Sequence, residues 1–196
     1  KRLAREARCA PDSTDRRVGG EGLFNELLGR IGKAKYYRLD SKALRKVSAL
    51  RAKMSETGEG FSSFLDDIFR AEDGSWECLK DHFHQRFPFY RNLRIDKAPL
   101  RGQEYGFVLR FMTVHDTELS AQALSDGAML SLGFIALAHN PNPPGILLVE
   151  EPENGVHFAS LKDIVGTLRH LSQDKGVQVF ATTHSPYLLD LAELNE

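Results

Sequence analysis

Cysteine is nearly absent from this 196-residue chain, which holds only Cys9 and Cys78. So low a count excludes a disulfide framework and a cysteine-based zinc site. It makes a reducing, cytoplasmic setting the default expectation. Long hydrophobic runs are missing as well. The longest, residues 129–138, is about half the ~20 residues a membrane-spanning helix needs and contains Ser131 and Gly133. No membrane partner is expected. No apolar stretch follows the basic residues at positions 1–5, so a secretory signal is not supported. An excess of charge is lacking too: 26 Lys and Arg face 27 Asp and Glu, for a net charge of −1. That balance argues against a globally basic nucleic-acid binder. With 41% hydrophobic residues it also excludes disorder as the overall state. The length suits one ordinary domain or a generous part of one. No internal repeat is found.

Three spans differ in character. Residues 1–22 are polar, with a basic lean and several glycines, and read as a basic polar tail. Residues 23–105 read as mostly helical. A short helix-like pattern covers 23–31, and an aromatic stretch at 36–39 suits a short strand ended by Asp40. Leu44, Val47 and Leu50 give residues 41–54 a helical spacing. Phe61, Phe64, Leu65 and Ile68 mark an amphipathic helix. Ser75 is placed to cap another helix over 76–87, stopped before Pro88. In the third span, 106–196, residues 106–114 read as a strand, and 128–139 as a helix buried all round. Residues 145–149 read as a strand covered on both faces. A helix over 161–171 with a C-cap at Gly176, a strand over 177–182 and a helix from Pro186 complete the chain. Strands alternating with helices across short joints predict an α/β fold with a parallel-rich sheet flanked by helices, preceded by a helical N-terminal portion.

Chemistry concentrates at strand ends. Glu150 and Glu151 directly follow the buried apolar strand and precede Pro152. Ligands of open α/β sheets bind at the carboxyl ends of strands. Alternation along a strand lets one carboxylate face a metal–phosphate site while the other faces a nearby water. Hard carboxylate oxygens suit Mg²⁺. Surface pairing or helix capping is the plainer alternative for these acids. His184 lies in Thr183-His184-Ser185 at the end of the next strand, beside the acid pair in a parallel sheet. Upstream, Ser125, Asp126 and Gly127 open the buried helix, where a cap or an anion site would form. His82 and His84 form an H-x-H pair, which reads as surface histidines of a helix rather than a zinc site. The aromatic stripe over 61–69 reads as core.

These motifs resemble the C-terminal part of an ABC-type ATPase head in the branch that holds SMC, RecF and OLD-like proteins. Leu124-Ser125-Asp126-Gly127-Ala128 is similar to the ABC signature, and Ile146 through Glu151 resembles Walker B. Residues 152–157 resemble the proline and D-loop, and Thr183-His184-Ser185-Pro186 resembles the switch-histidine loop. Order and spacing match over residues 119–191. The resemblance implies a partial P-loop NTPase fold and ATP and Mg²⁺ as cofactors. Glu150 would hold the metal through water, Glu151 would orient or deprotonate the attacking water, and His184 would contact the γ-phosphate. Ser125, Asp126 and Gly127 would meet ATP bound to a second subunit, with Asn154 and Gly155 along that seam, in a homodimer or hetero-oligomer. Glu150 stands where most such ATPases carry Asp. Asp126 and Ala128 replace the Gly and Gln of the transporter-type signature, which disfavours a transporter domain. Gln103 and Gln122 are candidates for the Q-loop glutamine.

The P-loop pattern G-x-x-x-x-G-K-[ST] does not occur in the sequence. The nearest stretch, residues 29–34, has the wrong glycine spacing and ends in Ala34. The expectation is therefore an ATPase segment that works with a P-loop portion of the head supplied separately, in DNA repair or anti-phage defence. DNA and an associated nuclease are candidate partners. The rival expectation is a non-catalytic, ATPase-like binding module that docks a partner or DNA.

Overall fold

A computed structural model describes residues 28, 29 and 31–192. The expected tail over 1–22 and most of the helix expected over 23–31 lie outside the described residues. The described chain runs β1 (Lys35–Tyr37), α1 (Ser41–Leu44), α2 (Phe61–Arg70), α3 (Ser75–Arg86), β2 (Tyr90–Leu100) and β3 (Gln103–Thr113). It continues through β4 (Glu118–Ser120), a 3₁₀ turn (Ala121–Ala123), α4 (Asp126–Ala138), β5 (Ile146–Glu150), α5 (Phe158–Gln173), β6 (Gln178–Thr182) and α6 (Pro186–Leu191). None of these helices is long and apolar enough to cross a membrane.

Two sheets result. β1, β5 and β6 form a parallel sheet in that order, with Tyr37 opposite Val149 and Glu150 opposite Thr182. β2, β3 and β4 form an antiparallel sheet. The apolar helix α4 lies between them. Every residue from 128 to 138 is buried, because this helix has a core on each side. Met129, Leu132 and Ile135 join Leu65, Leu79 and Phe111 beneath the antiparallel sheet. Phe134, Leu137 and Ala138 join Leu147, Val149 and Ile164 beneath the parallel one. A helix apolar all round is stable only with partners on every face, and the two sheets with α3 and α5 supply them.

Several sequence expectations are revised. The helix expected over 41–54 ends at Leu44. Beyond it Arg45 turns inward, and Ser48 makes an isolated bridge with Phe107 of β3, exchanging both backbone hydrogen bonds (2.9 and 2.8 Å). Those tertiary bonds replace the helical ones, and Val47 and Leu50 are left exposed. Ser75 is the first residue of α3 and not its cap. Gly74, at φ 89°, holds the cap position, and Asp73 Oδ1 accepts from the Ser75 N–H at 2.9 Å. Residues 90–100 form a strand within the span read as mostly helical. The parallel sheet is covered on one face only: Leu147 and Val149 are buried, whereas Leu148 and Phe180, on the opposite face, are 39% and 51% exposed. The stripe of α2 is core in part: Phe61, Leu65 and Ile68 are buried, whereas Phe69 at the end of the helix is 53% exposed. The buried helix, the strand before the acid pair and the strand before His184 also form where the sequence places them.

Candidate functional site

The carboxyl end of the parallel sheet gathers the polar residues. β5 delivers Glu150 as its last residue, and Glu151 follows in the left-handed region at φ 45°. A non-glycine residue there carries strain. The Glu151 N–H donates to Thr182 O of β6 at 3.0 Å, which prolongs the ladder and pins this turn. His184 follows β6, and its Nε2 lies 3.8 Å from Glu151 Oε1. Its side chain is 90% exposed. Glu150, Glu151 and His184 therefore lie together at adjoining strand tips, with the His184 side chain open to solvent.

The turn between them is held by Glu153. Its Oε1 accepts from Thr183 Oγ1 at 2.6 Å and from the His184 N–H at 3.0 Å. Burial by itself would raise the pKa of Glu153, but the hydrogen bonds from Thr183, His184 and Ser185 outweigh it and hold the carboxyl below its ordinary range. Asn154 and Gly155 complete the turn. The Asn154 N–H donates to Glu151 O at 2.9 Å, and Gly155 sits at φ 77°.

A second group stands at the start of α4. Ser125 caps the helix, its Oγ accepting from the Ala128 N–H at 3.2 Å. Asp126 Oδ1 accepts from Ser41 Oγ and from Arg45 Nη1, each at 2.7 Å. The Ser41 bond and then Arg45 hold the Asp126 carboxyl below its ordinary range. Beside Gly127 a Cβ would meet open space, so the backbone here is approachable.

Residues that sequence reasoning did not single out join the two groups. Tyr36 of β1 donates its hydroxyl to Glu150 Oε2. This bond, then burial, raises the Tyr36 pKa. Arg38, just past β1, reaches both acids: Nη1 lies 3.2 Å from Glu150 Oε1 and Nη2 3.1 Å from Glu151 Oε2. Asp40 caps α1, accepting from the Ala43 N–H at 2.7 Å, and Ser41 and Arg45 then grip Asp126. Residues 36–45 thus run from the acid pair to the start of α4. An open pocket of about 470 Å³ lies along this run, lined in part by Arg38, Asp40, Lys42, Glu151 and Asn154. Tyr36 and Arg38 at i, i+2 near a strand end are the sequence signal for a shared face.

The donor set suits a hard divalent cation: two strand-tip carboxylates, partly open to solvent, whose charge is already met by a guanidinium. Of the two Q-loop candidates, Gln122 is spent on a hydrogen bond to Arg45 O at 3.3 Å. The side chain of Gln103 lies outside the described residues. Elsewhere, His82 is half-buried and not a surface residue: its Nδ1 lies 3.2 Å from Nε2 of buried His139. His84 is exposed, with Nδ1 3.0 Å from Tyr90 O. Among the described residues no three His, Cys, Asp or Glu side chains are arranged to hold a metal ion.

The parallel sheet with the capped helix packed against it is similar in fold to a solved SMC head. A solved SMC head bound to the C-winged helix domain of ScpA superposes with a TM-score of 0.55 at 15% identity, over 78% of this chain and 48% of that one. A structure described as concerning ATP-driven dimerization and DNA-stimulated activation of SMC ATPases matches with a TM-score of 0.44 at 11% identity, over 66% of this chain and 78% of that one. The chain spans about half the length of the first of these. No curated protein matches it in sequence. The family model described as "AAA domain, putative AbiEii toxin, Type IV TA system" matches residues 21–190. The chain belongs to that family of AAA-type ATPase domains.

Proposed function

We propose that this chain is the signature, Walker B and switch-histidine segment of an SMC-like ATPase head, and that it hydrolyses ATP when a P-loop portion completes the site. The observation that carries the reading is the approach of His184 to Glu151 at 3.8 Å beside Glu150. Residues from two separate strand–turn units converge on one point where a phosphate and an attacking water would meet. Magnesium, when bound, neutralises phosphate charge, and Glu150 is the residue that would hold it, directly or through water. Glu151 orients the attacking water and takes up its proton. His184, exposed at the end of β6, hydrogen-bonds the terminal phosphate. Phosphoryl transfer depends mostly on positioning and charge stabilisation, so a site split between portions is sufficient.

Ser125, Asp126 and Gly127 meet the nucleotide of a second subunit, and Asn154 and Gly155 flank that contact. The ion pair of Asp126 with Arg45 orients the cap loop for this role. One observation leaves room for an additional P-loop portion: among the described residues nothing covers Leu148 and Phe180 of the parallel sheet, although such sheets are ordinarily covered on both faces. DNA repair or anti-phage defence is the setting we propose for this activity, and membership of a family named for a toxin–antitoxin system fits the latter.

The test is Glu151→Gln in the completed ATPase. ATP binding is retained, and turnover falls by about 10²-fold or more. Turnover near that of the unaltered protein removes Glu151 from its role. The missing P-loop pattern favours one rival, a binding module that never turns over nucleotide. Calorimetric titration with Mg-ATP, with and without the P-loop portion, separates the two: no heat in either case supports the module.

A further inference from the structure

We propose that Arg38 is a positioning residue that stands in for the divalent cation: its guanidinium bridges Glu150 and Glu151 and is displaced when metal enters. The inference rests on the ATPase reading of the acid pair and extends it to a residue outside the motifs.

Geometry carries it. Two adjacent carboxylates repel unless a cation lies between them. Arg38 places a different nitrogen on each, at 3.2 Å from Glu150 and 3.1 Å from Glu151. Both oxygens of Glu150 are then engaged, Oε1 by Arg38 and Oε2 by Tyr36. Glu151 Oε2 is engaged as well, leaving Oε1 toward His184. A metal ion that takes the position between the two carboxylates competes there with the Arg38 guanidinium. Tyr36 sits within β1, paired in register with Leu148. Arg38 lies past the strand. Its backbone is anchored, with the N–H donating to Glu56 O at 2.9 Å. Its long side chain is 54% exposed and borders the open pocket beside Lys42. The guanidinium can therefore swing out while the strand stays in place. Arg38 bridges the two acids until metal replaces it, and makes metal entry a competition rather than a simple addition.

The experiment is a Mn²⁺ titration of the ¹⁵N-labelled chain, following paramagnetic broadening of amide signals near residues 150–154 and 182–184. Arg38→Gln lowers the midpoint concentration of Mn²⁺ by about two- to fivefold, the range expected for loss of a partly exposed ion pair. Arg38→Lys, which keeps the charge but cannot fork across two carboxylates, falls between the two and serves as the second variant should Arg38→Gln fold poorly. Glu150→Gln abolishes the broadening at these residues. If that broadening depends on Glu150 but its midpoint is unchanged or raised in both Arg38 variants, the placeholder role is overturned and the ATPase reading stands. If the broadening is absent or survives Glu150→Gln, the acid pair does not take the metal in this chain and the placeholder role is overturned, while the ATPase reading is judged by the Glu151→Gln turnover of the completed site.

Discussion

Replacing Arg45 by alanine probes how the start of α4 is held. The side chain of Arg45 is only 10% exposed and makes three contacts. Nε donates to Ala121 O at 3.1 Å, Nη2 to Leu124 O at 2.9 Å, and Nη1 to Asp126 Oδ1 at 2.7 Å. Two of these satisfy carbonyls of the turn that leads into Ser125. Bonds from a charged donor to a partly buried carbonyl contribute about 1–1.5 kcal/mol each once water is allowed to take over in part. The ion pair adds little, below about 0.5 kcal/mol, because the Asp126 side chain is 59% exposed and solvent screens it. Arg45→Ala should therefore cost about 2–3 kcal/mol. For a chain of this size that lowers Tm by roughly 5–10 °C. Urea unfolding measures the loss, and a cycle with Asp126→Asn apportions it: the coupling between the two positions should stay below about 1 kcal/mol. Hydrogen exchange at residues 124–128 should quicken in the variant. A stability change within about 0.5 kcal/mol, or a coupling that accounts for the whole loss, would refute the argument that the carbonyl bonds hold the turn.

Acid should weaken the fold through His139. Burial is the main reason its pKa is lowered from 6.5 to about 3, with the charges of His82, Lys175 and His170 adding to it. The unfolded chain binds this proton below about pH 6.5 and the folded chain does not, so stability is full above 6.5 and declines as pH falls toward about 3. Between pH 7.5 and 5 the loss should be about 2 kcal/mol by urea unfolding, and His139→Leu should remove most of that slope. Gly60→Ala should cost about 2 kcal/mol or more by thermal unfolding. Gly60 is at φ 89°, and a Cβ there would lie 2.7 Å from Lys53 O, a backbone atom that cannot easily yield. By contrast Gly166→Ala, within α5 where a Cβ meets nothing within 4 Å, should raise stability by about 0.5–1 kcal/mol in the same assay.

The motif-bearing half of the chain was readable because its elements are locally consistent. A continuous apolar run such as residues 146–149 has no stable place except a buried strand, and a run apolar on all sides such as 128–138 none except a surrounded helix. Reading fails where long-range partners override local preference. Residues 45–54 have helical spacing, yet Arg45 and Ser48 find better partners on the 121–126 turn and on β3. β2 is disguised by Arg91, Arg94, Asp96 and Lys97, whose charges are met by Asp116, by Glu118 of β4, by one another along the strand, or over a ring, as with Lys97 above Tyr105 at 4.3 Å. Its Pro99 falls at a register shift between Ala98 and Leu100, where a missing N–H is tolerated. His82 looks like a surface residue because its partner His139 lies far along the chain.

Composition, spacing and apolar periodicity were sufficient to determine an α/β chain with acids and a histidine at successive strand ends, because strand direction and side-chain alternation are local properties of the backbone. Only the tertiary structure decided that Tyr36 and Arg38 serve the acid pair, that Arg45 secures the start of α4, and that one face of the parallel sheet stays open. Those outcomes depend on which distant segments meet, and no pattern within a few residues carries that information.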